Sequence, residues 1–283
     1  MKKIGLLFFT FLAYLSAKPV ISVSIPPQAY FLKQIAGDSL EINVLIPQES
    51  DPHAFEFKPQ TLLKLQKSDL YLTMGLEFEE IWLPKLRDNL PNTKILPITD
   101  KIPFLQSHSL EVKYEHHDKH HHHDEHDPHI WLSPPLVKIL AQNIATILIQ
   151  HYPKHAELYK TNLAHFLTQI ESLHQNILSK LHTLKKRSFL SYHPAWGYFA
   201  QSYQLRELSI ETEGKEPTPQ SLKHILESAQ KEKIGIIFVP NQSLIQNAKA
   251  LTKMLKAKIW IANPLAYEWE KELLHFTQGL LEE

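Results

Sequence analysis

From Lys154 to Leu184 the chain contains neither proline nor glycine, and Leu158, Leu163, Phe166, Ile170, Leu173, Ile177, Leu181 and Leu184 recur at helical spacing. At 1.5 Å per residue a helix of that extent spans roughly 46 Å. A strut of this length joins two bodies more stiffly than a Gly/Ser linker and argues against large hinge closure. The alternative, a helical hairpin broken near Gln175, lacks breaker residues.

The sequence on either side has one character. Short β-rich runs at 20–24, 41–46, 70–74 and 94–98 are spaced by helical patterns at 28–36, 59–67 and about 78–89. A second series follows at 188–192, 204–210, 234–239 and 258–262, again separated by helix-like stretches. Strands spaced by helices need crossover connections, hence mostly parallel sheets. The expected fold is α/β, with two lobes, each a mostly parallel four-stranded sheet flanked by helices, joined by one long rigid helix. The expected divisions are 1–17 as a signal peptide, 18–152 as the N-terminal lobe, 153–186 as the linking helix and 187–283 as the C-terminal lobe. Within the first lobe a histidine-rich loop occupies about 107–127.

The signal reading rests on Lys2 and Lys3 ahead of the apolar run 4–14, with the small residues Ser16 and Ala17 at a cleavage position. That run is too short to span a bilayer, so the mature chain is expected to be soluble. Lys plus Arg and Asp plus Glu both number 30, and removing two lysines with the signal leaves a net charge of about −2. Such a balance favours neither nucleic acid nor an acidic membrane. Cysteine is absent, which removes disulfides, thiolate metal sites and a lipidated anchor, and points to free residence in a periplasm. Any metal would be held by nitrogen and oxygen.

Nine of the 18 histidines lie between His108 and His129, interleaved with Asp118, Asp124, Glu125 and Asp127. Imidazole and carboxylate together suit zinc, copper and nickel. An expression tag is normally terminal and uninterrupted, unlike this internal mixed tract. The tract members His116, His117, His120, His121, His122, His123 and His126 offer overlapping weak sites and define an auxiliary metal loop.

A more ordered signal is the tripeptide Asp-Pro-His, at 51–53 and again at 127–129. His53, His129 and His193 each follow the carboxyl end of an expected strand and each has a neighbouring proline, Pro52, Pro128 or Pro194. Ligands of open α/β sheets bind at such ends, so facing lobes could direct the three imidazoles into one cleft. Three imidazoles suit zinc with a fourth position for oxygen, supplied by Asn263 or by water. A lone loop histidine is more often a backbone-bonded structural residue; three at equivalent positions argue otherwise. His151, His155, His165, His174, His182, His224 and His275 are read as solvated or packed residues and are not counted as ligands.

The segments "DPHAFEFKP", "DPHIWLSP", "SYHPAWGYFA", "EGKEPTPQSL" and "IANPLAYEWEKEL" follow the order seen in metal-binding proteins of ABC importers. Over nearly the whole mature chain the sequence resembles their zinc-specific group, the ZnuA-type periplasmic proteins of the cluster A-I family. The resemblance implies two α/β lobes joined by a rigid helix, with the metal between them. By motif, His53 and His129 would come from the first lobe and His193 from the second. Manganese-binding relatives tend to carry a carboxylate at the position of His193, so histidine there favours Zn2+. The family usually has Asp where this chain has Asn263, which bears on direct coordination by that residue.

The resemblance further implies no enzyme but a monomeric periplasmic capture protein that hands Zn2+ to an inner-membrane ABC permease with its ATPase. It implies neither nucleic-acid binding nor stable membrane insertion. Two other functions fit the residues in part. One is a zinc hydrolase with an open coordination position, although no His-Glu-x-x-His helix is present. The other is a periplasmic store or chaperone for zinc, nickel or copper built on the histidine tract. Deleting 116–126 distinguishes the store from the cleft.

Overall fold

The structure, a computed structural model, describes residues 17–48, 55–105, 126–211 and 215–282. The signal-peptide reading at 1–16, the first Asp-Pro-His at 51–53 and the histidine tract up to residue 125 lie outside the described residues.

Strands β1 (Val20–Val23), β2 (Glu41–Val44), β3 (Leu70–Thr73) and β4 (Lys94–Pro97) form one sheet in the order β2-β1-β3-β4. Strands β5 (Ser188–Ser191), β6 (Arg206–Ser209), β7 (Ile236–Val239) and β8 (Lys258–Ile261) form a second in the order β6-β5-β7-β8. Every pairing is parallel, and the two halves share one topology, second-first-third-fourth. All eight expected strands are present, each slightly shorter than its apolar run.

The first lobe carries α1 (Pro26–Ala36), α2 (Pro59–Leu65), α3 (Glu77–Leu86) and α4 (Pro134–His151). Prolines open α1, α2 and α4, where a missing N–H costs no intrahelical bond, and Ser133 caps α4 by accepting from the Leu136 N–H. Beyond the long helix α5 (Ala156–Leu181), the second lobe carries α6 (Gly197–Ser202), α7 (Pro219–Lys231), α8 (Ile245–Leu255) and α9 (Trp269–Leu281).

Helix α5 runs unbroken through Gln175, but it is shorter than the expected span. A 3-10 turn at Pro153–His155 precedes it, and at 26 residues it is about 39 Å long. Its buried residues are Tyr159, Phe166, Ile170, Leu173, Ile177 and Leu181, whereas Leu158 faces solvent, so the apolar stripe begins one residue later than its leucines suggest. The helix ends where that stripe reaches its last fully buried member. It is not a bare strut: α5 packs against α1, α4 and α9.

One hydrophobic core accordingly runs from the first sheet across α5 to Phe189, Phe199, Phe238 and Phe276, while a smaller cluster around Leu190, Leu208 and Ile237 covers the far face of the second sheet. Two tryptophans tie the lobes directly. The Trp131 indole N–H donates to the Pro264 carbonyl at 2.7 Å, and the Trp269 indole N–H donates to the Trp131 carbonyl at 2.6 Å. Both rings are buried, so breaking either bond would strand a polar group away from water. Among the described residues no helix is long and apolar enough to cross a membrane.

Candidate metal centre

His129 and His193 reach the same place by different routes. His193 stands two residues beyond β5, a central strand that lies between β6 and β7. The backbone there stays in register past the strand end: the Tyr192 N–H donates to the Phe238 carbonyl at 2.8 Å, and the Glu211 N–H to the Tyr192 carbonyl at 2.9 Å. His129 comes after the edge strand β4 and the long connection, at the start of the 3-10 turn Ile130–Leu132 that leads into α4. Trp131, in that turn, is the residue bonded across to Pro264.

The two imidazole rings approach to 5.5 Å between centroids, with their planes 74° apart. Two imidazoles sharing one tetrahedral zinc at 2.0–2.1 Å would place their centroids roughly 5 Å apart, so the observed separation suits a common ion with little movement.

Each ring is held by a carboxylate at Nδ1. For His129 the partner is Asp127 Oδ1 at 2.8 Å, and the same oxygen accepts the His129 backbone N–H at 2.9 Å. For His193 it is Glu211 Oε2 at 3.0 Å. A ring that donates its Nδ1 proton to a carboxylate carries its lone pair on Nε2, which fixes the tautomer a metal requires and raises the basicity of that nitrogen. The side chains are shielded, His129 being 8% and His193 15% exposed. Sequence reasoning missed both carboxylates as functional residues, although the Asp of Asp-Pro-His was in view.

Behind Asp127 lies a further acid. Glu207 accepts from the Ser191 hydroxyl at 2.5 Å and from the Trp196 N–H at 3.2 Å. Burial pushes its carboxyl up to about 8, against the lowering effect of the Ser191 bond, and the charge of Asp127 adds to the rise. Near neutral pH Glu207 is therefore largely protonated, and Asp127 stands beside a neutral acid rather than a second anion.

The other expected ligands are placed less directly. His53 lies outside the described residues. Asn263 follows β8, but its amide oxygen accepts from the Leu265 N–H at 2.9 Å while its own N–H donates to Glu272 at 2.8 Å. That oxygen closes a local turn, so only its second lone pair remains to meet a metal. His126, the one described member of the tract, is exposed and stacks on Phe104 at 5.5 Å. His174 bonds to the Tyr203 hydroxyl and His275 to the Ile261 carbonyl, while His155, His165, His182 and His224 are exposed. Among the described residues no group of three His, Asp or Glu side chains is arranged to hold a metal by itself.

Two like sheets bound through one packed helix, with shielded imidazoles where the lobes meet, define the two-lobed α/β architecture of ABC-transporter substrate-binding proteins. More narrowly, the chain belongs to the ZnuA family, zinc-uptake complex component A, periplasmic, whose model matches residues 21–276. Among solved structures, a crystal structure of ZnuA is 36% identical with a TM-score of 0.84, covering 94% of this chain and 98% of that one. The Zn(II)-bound ZnuA-like domain of Streptococcus pneumoniae AdcA is 26% identical with a TM-score of 0.73, over 94% of this chain and 99% of the domain. The zinc-binding lipoprotein AdcA of S. pneumoniae is 30% identical over 84% of this chain and 48% of its own length. The high-affinity zinc uptake system protein ZnuA of Bacillus subtilis is 26% identical over 84% of this chain and 76% of its own. The chain thus spans about half the length of the AdcA proteins it matches.

Proposed function

We propose that this chain captures Zn2+ between its lobes and delivers it, in the periplasm, to an inner-membrane ABC permease driven by its ATPase. The divisions at 18–152, 153–186 and 187–283 are the working units of that reading. His53 and His129 from the first lobe and His193 from the second are the protein ligands, and water takes the fourth position in preference to the turn-bound Asn263. The observation that carries the reading is the pair of Nδ1–carboxylate bonds, Asp127 to His129 and Glu211 to His193, behind rings 5.5 Å apart. Loop histidines that merely solvate a surface need no such backing.

Zinc as the ion is supported by the zinc-binding and zinc-uptake functions of the relatives and by a ZnuA deletion mutant crystallised with zinc bound, 36% identical to this chain. Binding without turnover follows the same relatives, which are described as zinc-binding and zinc-uptake proteins. The histidine tract 116–126 is an auxiliary metal-collecting segment in that reading. Competition titration of zinc against a chelator tests the assignment. His53→Ala, His129→Ala and His193→Ala should each abolish the tightest site, and wild-type affinity in any of them would remove that residue from the set.

A further inference from the structure

Gly197 and Tyr198 begin α6 in the second lobe, and both meet Asp127, the residue that holds His129. A methyl group on Gly197 would lie 2.8 Å from Asp127 Oδ2 and 3.9 Å from Glu207 Oε2. The backbone of Gly197 is outside the left-handed region, so lack of space, not conformation, is what excludes a side chain there. Next to it the buried Tyr198 hydroxyl donates to the Asp127 carbonyl at 3.0 Å and accepts from the Leu105 N–H at 2.8 Å. The Asp127 N–H in turn donates to the Leu105 carbonyl at 3.0 Å. The phenol therefore closes a ring of hydrogen bonds joining Leu105 and Asp127 to the second lobe.

We propose that Gly197 and Tyr198 are positioning residues for the metal site: the glycine leaves the room in which the Asp127 carboxylate stands, the phenol pins its backbone, and His129 is aimed from across the lobe interface. The proposal rests on the reading of His129 as a ligand. Its physical core is that Asp127 has two oxygens with two tasks. Oδ1 holds the imidazole and the His129 N–H, while Oδ2 packs against bare backbone at Gly197. An alanine at 197 pushes on Oδ2, and the cheapest relief is rotation or retreat of the carboxylate, which is the free end of a side chain. That relief moves Oδ1, so a steric change in one lobe becomes a misdirected ligand in the other. Sites of this kind tolerate about 0.5 Å of displacement before affinity suffers.

Zinc affinity, measured by chelator competition on the whole chain, should fall about tenfold in Gly197→Ala, the lower end of the range for residues that support a ligand. The melting temperature of the metal-free protein should hold. The imidazole nitrogens of His129 should report the cause, passing in 15N spectra from one tautomer to a mixture of two. In an Asp127→Ala background the same substitution should add no further loss, because glycine acts only through that carboxylate. Tyr198→Phe, which removes a single hydroxyl, should weaken zinc binding several-fold and serves as the test should Gly197→Ala fail to fold. Wild-type affinity in Gly197→Ala, or an undiminished loss on top of Asp127→Ala, overturns the glycine's role; wild-type affinity in Tyr198→Phe overturns the phenol's. His129→Ala is measured in parallel. If it keeps the tight site, the ligand assignment fails; if it loses the site while both positioning variants bind normally, only the clamp fails.

Discussion

The two imidazole mounts perform one task with opposite constructions. Asp127 is two residues from His129 and grips it twice, through the ring and through the backbone N–H, so that mount is written into a tripeptide. Glu211 is 18 residues from His193 and grips only the ring. It arrives there because β5 and β6 pair in parallel, Ser191 opposite Ser209, which brings the residues just past both strands side by side. Local sequence builds one mount and sheet register builds the other. The first should survive distortion of its lobe, while the second depends on the pairing of β5 with β6.

The largest effects test whether the two mounts serve one ion. His129→Ala and His193→Ala should each weaken the tight site by more than about 100-fold, since removing a ligand exceeds the roughly 10–100-fold cost of removing its support; titration of both variants gives the comparison. Next come the mounts. Asp127→Asn should cost more than Glu211→Gln, about 100-fold against about tenfold, because Asp127 holds two bonds. Equal losses would erase the distinction.

Stability sharpens the contrast from another side. Glu207, beside Asp127, titrates near 8 in the folded chain but near 4.5 when unfolded. Between those values the folded state holds a proton that the unfolded state has released, so its contribution to stability is full below about 4.5 and is lost as pH rises through 8. Glu207→Gln removes that dependence. Urea unfolding at pH 5 and pH 8 should show the variant gaining on the parent by a few kcal/mol at the higher pH. The smallest effect belongs to the tract: deleting 116–126 should leave the tight site within about threefold while removing weaker equivalents, as the mounts lie outside the deleted residues. Loss of the tightest site would transfer the function to the tract.

Much of this architecture is legible in the sequence. Short β-rich runs mark the eight strands and a period-3.6 apolar pattern marks the helix α5, because burial in a sheet or along one helical face is a local constraint on composition. The ends of α5 were less legible: Pro153 suits a 3-10 turn as well as a helix start, and Leu158 fits helical spacing while facing solvent. His129 and His193 stood out through their proline neighbours. Asp127 has a signal in the sequence, the Asp-Pro-His repeat itself, whose carboxylate lies within reach of the imidazole two residues on. Glu211 offered no such signal, since its partnership depends on which strands pair, and that is a non-local choice. The same holds for the Trp131 and Trp269 cross-bonds, each linking residues more than 130 positions apart.

The most direct test of the central claim is an anomalous-difference map at the zinc absorption edge from crystals of the zinc-loaded protein. One dominant peak is expected about 2.0–2.1 Å from Nε2 of both His129 and His193, with Nδ1 of each ring still on Asp127 and Glu211. A dominant peak among residues 116–126, or coordination through Nδ1 with the carboxylates displaced, would contradict it.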